Sequence, residues 1–419
     1  MNLKELRKYK GFSQDTAAKS LGIPLRTYKR YENEKSYENT YKYDAIYHKL
    51  LELEKPHKLI KQNYKPNTLI VGAGYVGYNF GKVLEKKCSV SFLDIDKNKV
   101  SKLHAEGYDA FTNLDSKSNF DIVVICLPTN YIEETKSFDT NDIKESISNI
   151  ISINKNSLVI IKSTVAVGFT KTLSQELGKE IFFMPEFLRE KTALEDSLRP
   201  SRLIIGANKV SPKIINFSKL VEQCIEVPRK TIFMSTDEAE ATKLFSNAYL
   251  AMRLAFFNEL DTFAIKENMD TKNIIKGIGL DPRIGDYYNN PGFGFGGYCL
   301  PKDTKVIQAK SESELLGSVI SSNNQRKEFI ASEIIKEALH RRKRPTIGII
   351  NDEKSANTHK STLVEMVDLL RKYSVNVVFF DENTEDFNSF CSRCHLIVSN
   401  KKDPRLDQYK TKVFNRSIY

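Results

Sequence analysis

Thr68-Leu69-Ile70-Val71 runs directly into Gly72-Ala73-Gly74-Tyr75-Val76-Gly77, and no other stretch limits the fold of this chain so severely. The first four residues read as a short buried strand, and a helical stretch follows the glycines to about Lys87. A second apolar run, Val90-Ser91-Phe92-Leu93, ends in Asp94. Strand, tight turn, helix and strand in this order make a parallel crossover unit. Each glycine has a separate task. Gly72 permits the turn, Gly74 lets a pyrophosphate approach the amides at the helix start, and Gly77 lets helix and strand pack closely. Gly72, Gly74, Tyr75, Val76 and Gly77 are therefore the candidate dinucleotide cradle. Asp94 lies where it can accept both ribose hydroxyls, and its charge would repel a 2′-phosphate, so the expected cofactor is NAD.

Further apolar runs extend the sheet. Asp121 to Leu127 ends at Pro128-Thr129-Asn130, Leu158 to Lys162 ends at Ser163-Thr164, and Ile181 to Met184 ends at Pro185-Glu186-Phe187-Leu188-Arg189-Glu190. These are strands of the fully buried, parallel type. Ligands of such sheets sit beyond the carboxyl ends of the strands, so the three polar endings should converge on cofactor and substrate. Cys126 reads as core. Thr346 to Ile350, Val375 to Asp381 and Leu396 to Asn400 alternate with helical stretches, which gives a second sheet of the same kind. The expected fold class is α/β, with two Rossmann-like parallel-sheet domains joined by a long central helix and preceded by a small all-α domain. The expected boundaries are 1–55 for the helical domain, 56–66 for a linker, 67–205 for the cofactor domain, 206–340 for a central helical domain and 341–419 for the last.

The central helix is Asp237 to Lys266, apolar nearly all the way round, and such a helix is buried between domains or in a subunit interface. Lys243 and Asn247, four apart, share one face of it. Lys243 is either a snorkelling side chain or, with Asn247, a holder of a developing oxyanion. Downstream lies Pro291-Gly292-Phe293-Gly294-Phe295-Gly296-Gly297-Tyr298-Cys299-Leu300-Pro301-Lys302-Asp303. So many glycines mark a loop where backbone approaches something closely. Cys299 at its end, beside Lys302 and Asp303, reads either as a nucleophile with a thiolate-favouring cation and a proton acceptor, or as a structural thiol after a turn.

The formal net charge is +11, and 15 Lys/Arg against 8 Asp/Glu fall in the first 66 residues. Helices are expected from Leu3, from Ser13 to Leu21, over Leu25–Asn33 and from Tyr41 to Glu54, with Gly22 breaking the chain between the second and third. Leu6-Arg7, Gly11 to Gln14, Ala17, Leu21-Gly22-Ile23 and Tyr31-Glu32-Asn33 resemble the phage-repressor (Cro/C1) type of helix-turn-helix. By that resemblance Gln14, Arg26, Thr27, Lys29 and Arg30 face DNA; the other reading is a basic helical appendage that packs on the enzyme or a partner. No apolar run is long enough to span a bilayer and no signal peptide opens the chain, so a cytoplasmic location is expected. Six cysteines lack the spacing of a disulfide framework. Cys391-Ser392-Arg393-Cys394-His395 matches a haem-attachment pattern, but it runs straight into an apolar strand and no second ligand pair accompanies it. These cysteines read as plain thiols, and no metal site is expected.

The glycine cradle, Lys162-Ser163-Thr164-Val165, Pro185 to Glu190, Lys243 to Ala251, Arg283 with Tyr288 to Pro291, and Gly296 to Asp303 together resemble the UDP-glucose 6-dehydrogenases, in order and spacing, from Thr68 to the end. The resemblance implies oxidation of a sugar C6 alcohol to a carboxylate in two hydride transfers to NAD, in a homodimer. It implies Cys299 as nucleophile, Lys243 and Asn247 as oxyanion holders, and Asp303, Thr164 and Glu190 as positioners of water. UDP-glucose would be held by Glu186, Phe187, Leu188, Arg189, Glu190, Lys243, Asn247, Arg283, Tyr288, Asn289, Asn290, Pro291, Gly292 and Gly296. Lys99, Thr129, Thr164, Glu190 and Lys302 would join Asp94 around NAD. The last domain departs from the family pattern at Asp352 to Ser361, where Lys354 is the expected diphosphate contact.

Overall fold

The computed structural model describes residues 2–10, 12–33, 40–52, 65–115, 118–350, 362–373, 375–399 and 403–416. The chain forms two compact units, residues 1–129 with 140–241 and residues 130–139 with 242–419. Most of the expected linker and Lys354 lie outside the described residues.

The first unit opens with four helices, Leu3–Tyr9, Gln14–Leu21, Leu25–Asn33 and Tyr41–Glu52. Asn2 and Glu5 form a reciprocal capping box, and Ser13 accepts the Thr16 amide at 3.0 Å. Gly22 closes the second helix at φ 69°, the left-handed conformation a glycine adopts without penalty. Leu3, Leu6, Ala17, Tyr28 and Leu50 form the small core. The Tyr9 hydroxyl donates to Asn216 Oδ1 at 2.6 Å, which ties this module to the helix Pro212–Cys224.

The sheet behind it has eight strands in the order Thr231–Met234, Leu203–Gly206, Ile181–Phe183, Leu158–Ile161, Ile122–Ile125, Asn67–Val71, Ser89–Leu93 and Asp109–Phe111. The last six are parallel, with the chain reversing direction across the sheet between Asn67–Val71 and Ile122–Ile125. That switch point is where a doubly wound sheet opens a crevice for a ligand. Leu203–Gly206 runs antiparallel to Ile181–Phe183, meeting it at Phe183 and Gly206, and pairs in parallel with Thr231–Met234. The expected boundary at residue 205 therefore cuts a strand; the backbone ladder carries the unit on to residue 241.

The second unit holds the hairpin Tyr131–Ile132 with Ser137–Phe138, the helices Thr271–Gly279, Cys299–Ser311 and Glu314–Arg341, and a four-stranded parallel sheet. Its strand order is Asn376–Phe379, Thr346–Ile350, Leu396–Ser399 and Val413–Phe414. The expected division at residue 340 is absent within this unit. Ile330, Ile334 and Ala338 of Glu314–Arg341 pack on Ile347, Ile349 and Leu363, so the helix supplies one layer of the sheet's own core.

The long helix runs over Thr236–Lys266. Its burial is not uniform: Phe245, Tyr249, Phe256 and Phe263 are all about half exposed, between 49% and 58%. Successive members lie four or seven residues apart, hence on one stripe. Among the described residues no helix is long and apolar enough to cross a membrane.

Candidate functional site

The first unit builds the cradle mainly from backbone. Gly72 stands at φ 94°, and a Cβ there would lie 2.6 Å from the Cys126 carbonyl oxygen on the neighbouring strand end. A Cβ on Gly77 would lie 2.0 Å from the Gly72 carbonyl, so helix and turn touch as the spacing requires. Gly74 is different. It caps the helix Tyr75–Leu84 with extended backbone, and a Cβ there would meet nothing within 4 Å. An open face at the N-terminus of this helix fits a pyrophosphate, the test this site has to pass for a dinucleotide.

Asp94, 8% exposed at the end of the second strand, accepts the Ala73 amide at 2.8 Å and the Asp96 amide at 2.9 Å. Lys99 pairs with it at 3.2 Å. The carboxylate thus braces the glycine turn, and with three of its four lone-pair sites taken one remains for a ribose hydroxyl. Thr129 donates to the Thr164 carbonyl at 2.7 Å, which joins two of the three polar strand endings. At the third, Glu186 is buried and accepts the Leu188 amide at 3.1 Å. Glu186, Phe187 and Leu188 line a cavity together with Lys162 and Arg202. Glu190 and Arg189 are exposed. Arg189 is engaged with Asp196, whose carboxylate accepts both its guanidinium (2.7 Å) and its amide (2.8 Å).

Two features of this unit had no sequence signal that separated them from ordinary polar residues. Lys162 is 5% exposed with its ammonium 4.5 Å from the Phe80 ring centroid. Glu240 is fully buried and accepts the Gly168 and Thr170 amides at 2.6 and 2.9 Å, capping the helix Phe169–Glu176 from the long helix. Burial pushes the Glu240 carboxyl up, against these hydrogen bonds. Cys126 is buried among strands, and its thiol is pushed up to about 12 by burial, as a core cysteine should be.

The second unit builds its site from side chains. Cys299 is the first residue of the helix Cys299–Ser311, half-buried, where the positive end of the helix dipole favours an anion. Asp303, one turn along and therefore on the same face, is completely buried. Its Oδ2 accepts Asn247 Nδ2 at 2.6 Å and its Oδ1 accepts Lys302 Nζ at 2.9 Å. Asn247 shares a helix face with Lys243, which is 4% exposed. Cys299, Asp303, Asn247 and Lys243 are thus linked by one hydrogen bond and two helical turns. The Lys302 ammonium is enclosed by the rings of Phe138 (4.5 Å) and Tyr298 (4.8 Å) and held on Asp303.

The stretch before the cysteine divides in the same way. Asn289 is buried and accepts Arg253 at 2.6 Å, while Arg253 also donates to the Tyr287 and Ile284 carbonyls at 2.7 Å. The Gly292 amide donates to Asn258 Oδ1 at 2.9 Å. Tyr288 is held at φ 59°, a conformation a bulky residue adopts only under constraint. Asn290 and Gly292 are half-buried and Pro291 buried in this loop. Gly296 sits so close to Thr362 that a Cβ would fall 2.2 Å from its hydroxyl. Arg283 stands apart: it is exposed and paired with Asp281 at 2.7 Å. Arg253 and Asn258 were invisible to sequence reasoning because the long helix is apolar on every side and gives no clue to which polar residues face inward.

In the helical module Arg26, Lys29 and Arg30 are exposed and Thr27 half-buried. Gln14 is half-buried and donates to Glu32 at 3.1 Å, on a carboxylate already held by Arg7. Cys391 and Cys394 are buried, with thiols pushed up to about 11 by burial, and His395 Nδ1 accepts the Thr346 amide. Among the described residues no cluster of potential ligands could hold a metal ion.

Comparison with known proteins places these features in one setting. Residues 105–224 match the NAD binding domain, and residues 237–325 the central domain, of the UDP-glucose/GDP-mannose dehydrogenase family. The chain is 39% identical to the UDP-glucose 6-dehydrogenase of Campylobacter jejuni, over 84% of this chain and 98% of that one. It is 30% identical to the UDP-glucose 6-dehydrogenase of Streptococcus pneumoniae, over the same 84% and 98%. In fold it is similar to the UDP-glucose dehydrogenase structure from Pyrobaculum islandicum, with a TM-score of 0.73, 23% identity, and coverage of 86% of this chain and 96% of that one.

Proposed function

The chain belongs to the UDP-glucose/GDP-mannose dehydrogenase family, and from that premise we propose that it is a UDP-glucose 6-dehydrogenase, oxidising C6 of UDP-glucose to a carboxylate with NAD as oxidant. The observation that carries the chemistry is the Asn247–Asp303 hydrogen bond one helical turn from Cys299. A carboxylate product requires an aldehyde to be oxidised, and a thiol offers the route.

Cys299, at its helix N-terminus, adds as thiolate to the C6 aldehyde. Asn247 spends one amide proton on Asp303 and keeps the other for the oxyanion, beside the ammonium of Lys243. Loss of hydride turns the thiohemiacetal into a thioester on Cys299. Water then cleaves the thioester, with Asp303 taking its proton and the Lys302 ammonium balancing the buried carboxylate. Thr164 and Glu190 are assigned to that water by family resemblance. Gly72 to Gly77 and Asp94 would hold NAD, which would supply the hydride acceptor for each of the two oxidations. Two NADH should form per UDP-glucose consumed. Absorbance at the NADH band against residual UDP-glucose checks this, and a ratio near one would sink the thioester route.

The stripe Phe245, Tyr249, Phe256 and Phe263 supports a homodimer that covers it with a second copy. Phe256→Glu should shift the mass measured by light scattering towards the monomer.

A second reading concerns the helical module as a DNA-binding helix-turn-helix. It is favoured by Arg26, Lys29 and Arg30, three exposed cations on one face of Leu25–Asn33. Gel-shift titration of the full chain across a salt series tests it; affinity that is absent or indifferent to salt would exclude it.

A further inference from the structure

The loop that leads to Cys299 is held by side chains from two helices. Arg326, 3% exposed, donates to the Gly292 carbonyl from both Nε (3.0 Å) and Nη2 (2.9 Å). Asn323 accepts the Phe295 amide at 2.7 Å and donates to its carbonyl at 2.8 Å. Arg326 is oriented in turn by Asp261, which is completely buried and accepts Nη2 on its Oδ2. Arg416 donates to both oxygens of the same carboxylate, Nε to Oδ2 at 3.1 Å and Nη2 to Oδ1, and Oδ1 also accepts Thr271 Oγ1 at 2.7 Å.

Arg416 follows the strand Val413–Phe414, and the Phe414 ring lies 5.9 Å from that of Phe293 in the cysteine loop. One short segment therefore grips the loop twice, ring on ring at Phe293 and through Asp261 and Arg326 at Gly292. Charge balance does not require it, because Arg326 and Asp261 alone are a neutral pair. Arg416 is instead a partly exposed third charge, 28% accessible, that reaches in to the completely buried carboxylate of Asp261.

We propose that Arg416 is a positioning residue for the substrate side of the reaction: by pinning Asp261 it fixes Arg326 on Gly292, and so sets where UDP-glucose meets the Cys299 thiol. The inference rests on the dehydrogenase reading above. Arg416→Ala leaves the Arg326–Asp261 pair neutral, so the fold should hold, and Arg416→Lys keeps the charge. In the alanine variant both charge-assisted hydrogen bonds to Asp261 are lost, and the KM for UDP-glucose should rise about tenfold as the hold on Gly292 weakens, with the KM for NAD within about twofold. Lysine should restore most of the loss. A second readout needs no turnover. The other five cysteines are buried, so iodoacetamide reports on Cys299, and its alkylation should quicken about threefold as the loop loosens.

Unchanged UDP-glucose KM and alkylation rate would overturn the proposal, and so would an equal rise in both KM values with a lowered melting temperature, the mark of a merely structural role. If Arg416→Ala is insoluble, Arg416→Gln takes its place under the same criteria. If the unmodified protein oxidises no UDP-glucose, the dehydrogenase reading fails, while the alkylation comparison still decides whether Arg416 holds the loop.

Discussion

The two units make their sites from different materials. In the first, the ligand surface is backbone: glycines at 72, 74 and 77, helix amides, and one carboxylate that braces the turn. In the second it is side chains, with Asp303 shared between Asn247 and Lys302, and with Arg253 and Arg326 gripping the loop. A backbone cradle suits a cofactor whose phosphates need only amides and room, and it loses function when a Cβ intrudes. A side-chain network suits bond making, where charge must appear at one atom, and it loses function when a single group is removed.

The largest effect should follow from removing the thiol. Cys299→Ala should lower NADH production from UDP-glucose by about a thousandfold or more, because no other group can carry the acyl intermediate. NAD affinity, measured by calorimetry, should stay within about twofold, since the cradle is untouched. Turnover retained at a tenth of the normal rate or above would break the distinction between a chemical and a binding unit.

The glycines test the other side of the comparison, and they should separate from one another. Gly77→Ala forces a Cβ to within 2.0 Å of the Gly72 carbonyl, so the unit should lose about 3 kcal/mol in urea unfolding as the packed turn is pushed apart. Gly74→Ala adds a methyl group to open space at φ −72°, and stability should change by no more than about 1 kcal/mol. Its cost should appear as a rise of about tenfold in the KM for NAD, because the methyl group occupies the face a pyrophosphate would approach. Equal stability losses in the two variants would show that the cradle is packing alone.

Why one site was legible in the sequence and the other only by resemblance follows from the same contrast. Glycine spacing and apolar runs are local, so Thr68 to Asp94 announced strand, turn, helix and strand, and the helix bounds from Ser13 to Asn33 followed from a cap and a glycine. Side-chain networks are long-range. Asn247 and Asp303 are 56 positions apart, Arg326 and Asp261 are 65, and no periodicity connects them. In a helix apolar on all sides the pattern cannot say that Arg253 and Asp261 face inward while Phe245 and Phe256 face out. The strand Leu203–Gly206 went unread in the sequence, and its antiparallel pairing with Ile181–Phe183 depends on tertiary contacts that no local rule supplies.

The smallest effect concerns Arg189, where the two materials meet in one residue. Its guanidinium and its amide both bind Asp196, so the segment after Glu186 is tied down by one carboxylate. The Arg189 hydrogen bond, with its amide and the Thr192 hydroxyl, holds the Asp196 carboxyl at about 2, against the effect of burial. A carboxyl depressed in the folded state contributes stability that is complete above its ordinary value near 3.8 and is lost as the pH falls through about 2. The arginine is largely exposed, so solvent screens the pair and the contribution is small. Asp196→Asn should therefore melt about 2 °C below the unmodified protein at neutral pH. That gap should close between pH 4 and pH 2, as protonation removes from the native chain what the substitution has already removed. A gap that stays constant across that range would mean that Asp196 acts through shape and not charge, and that this loop belongs with the packed glycines instead of the ionic network.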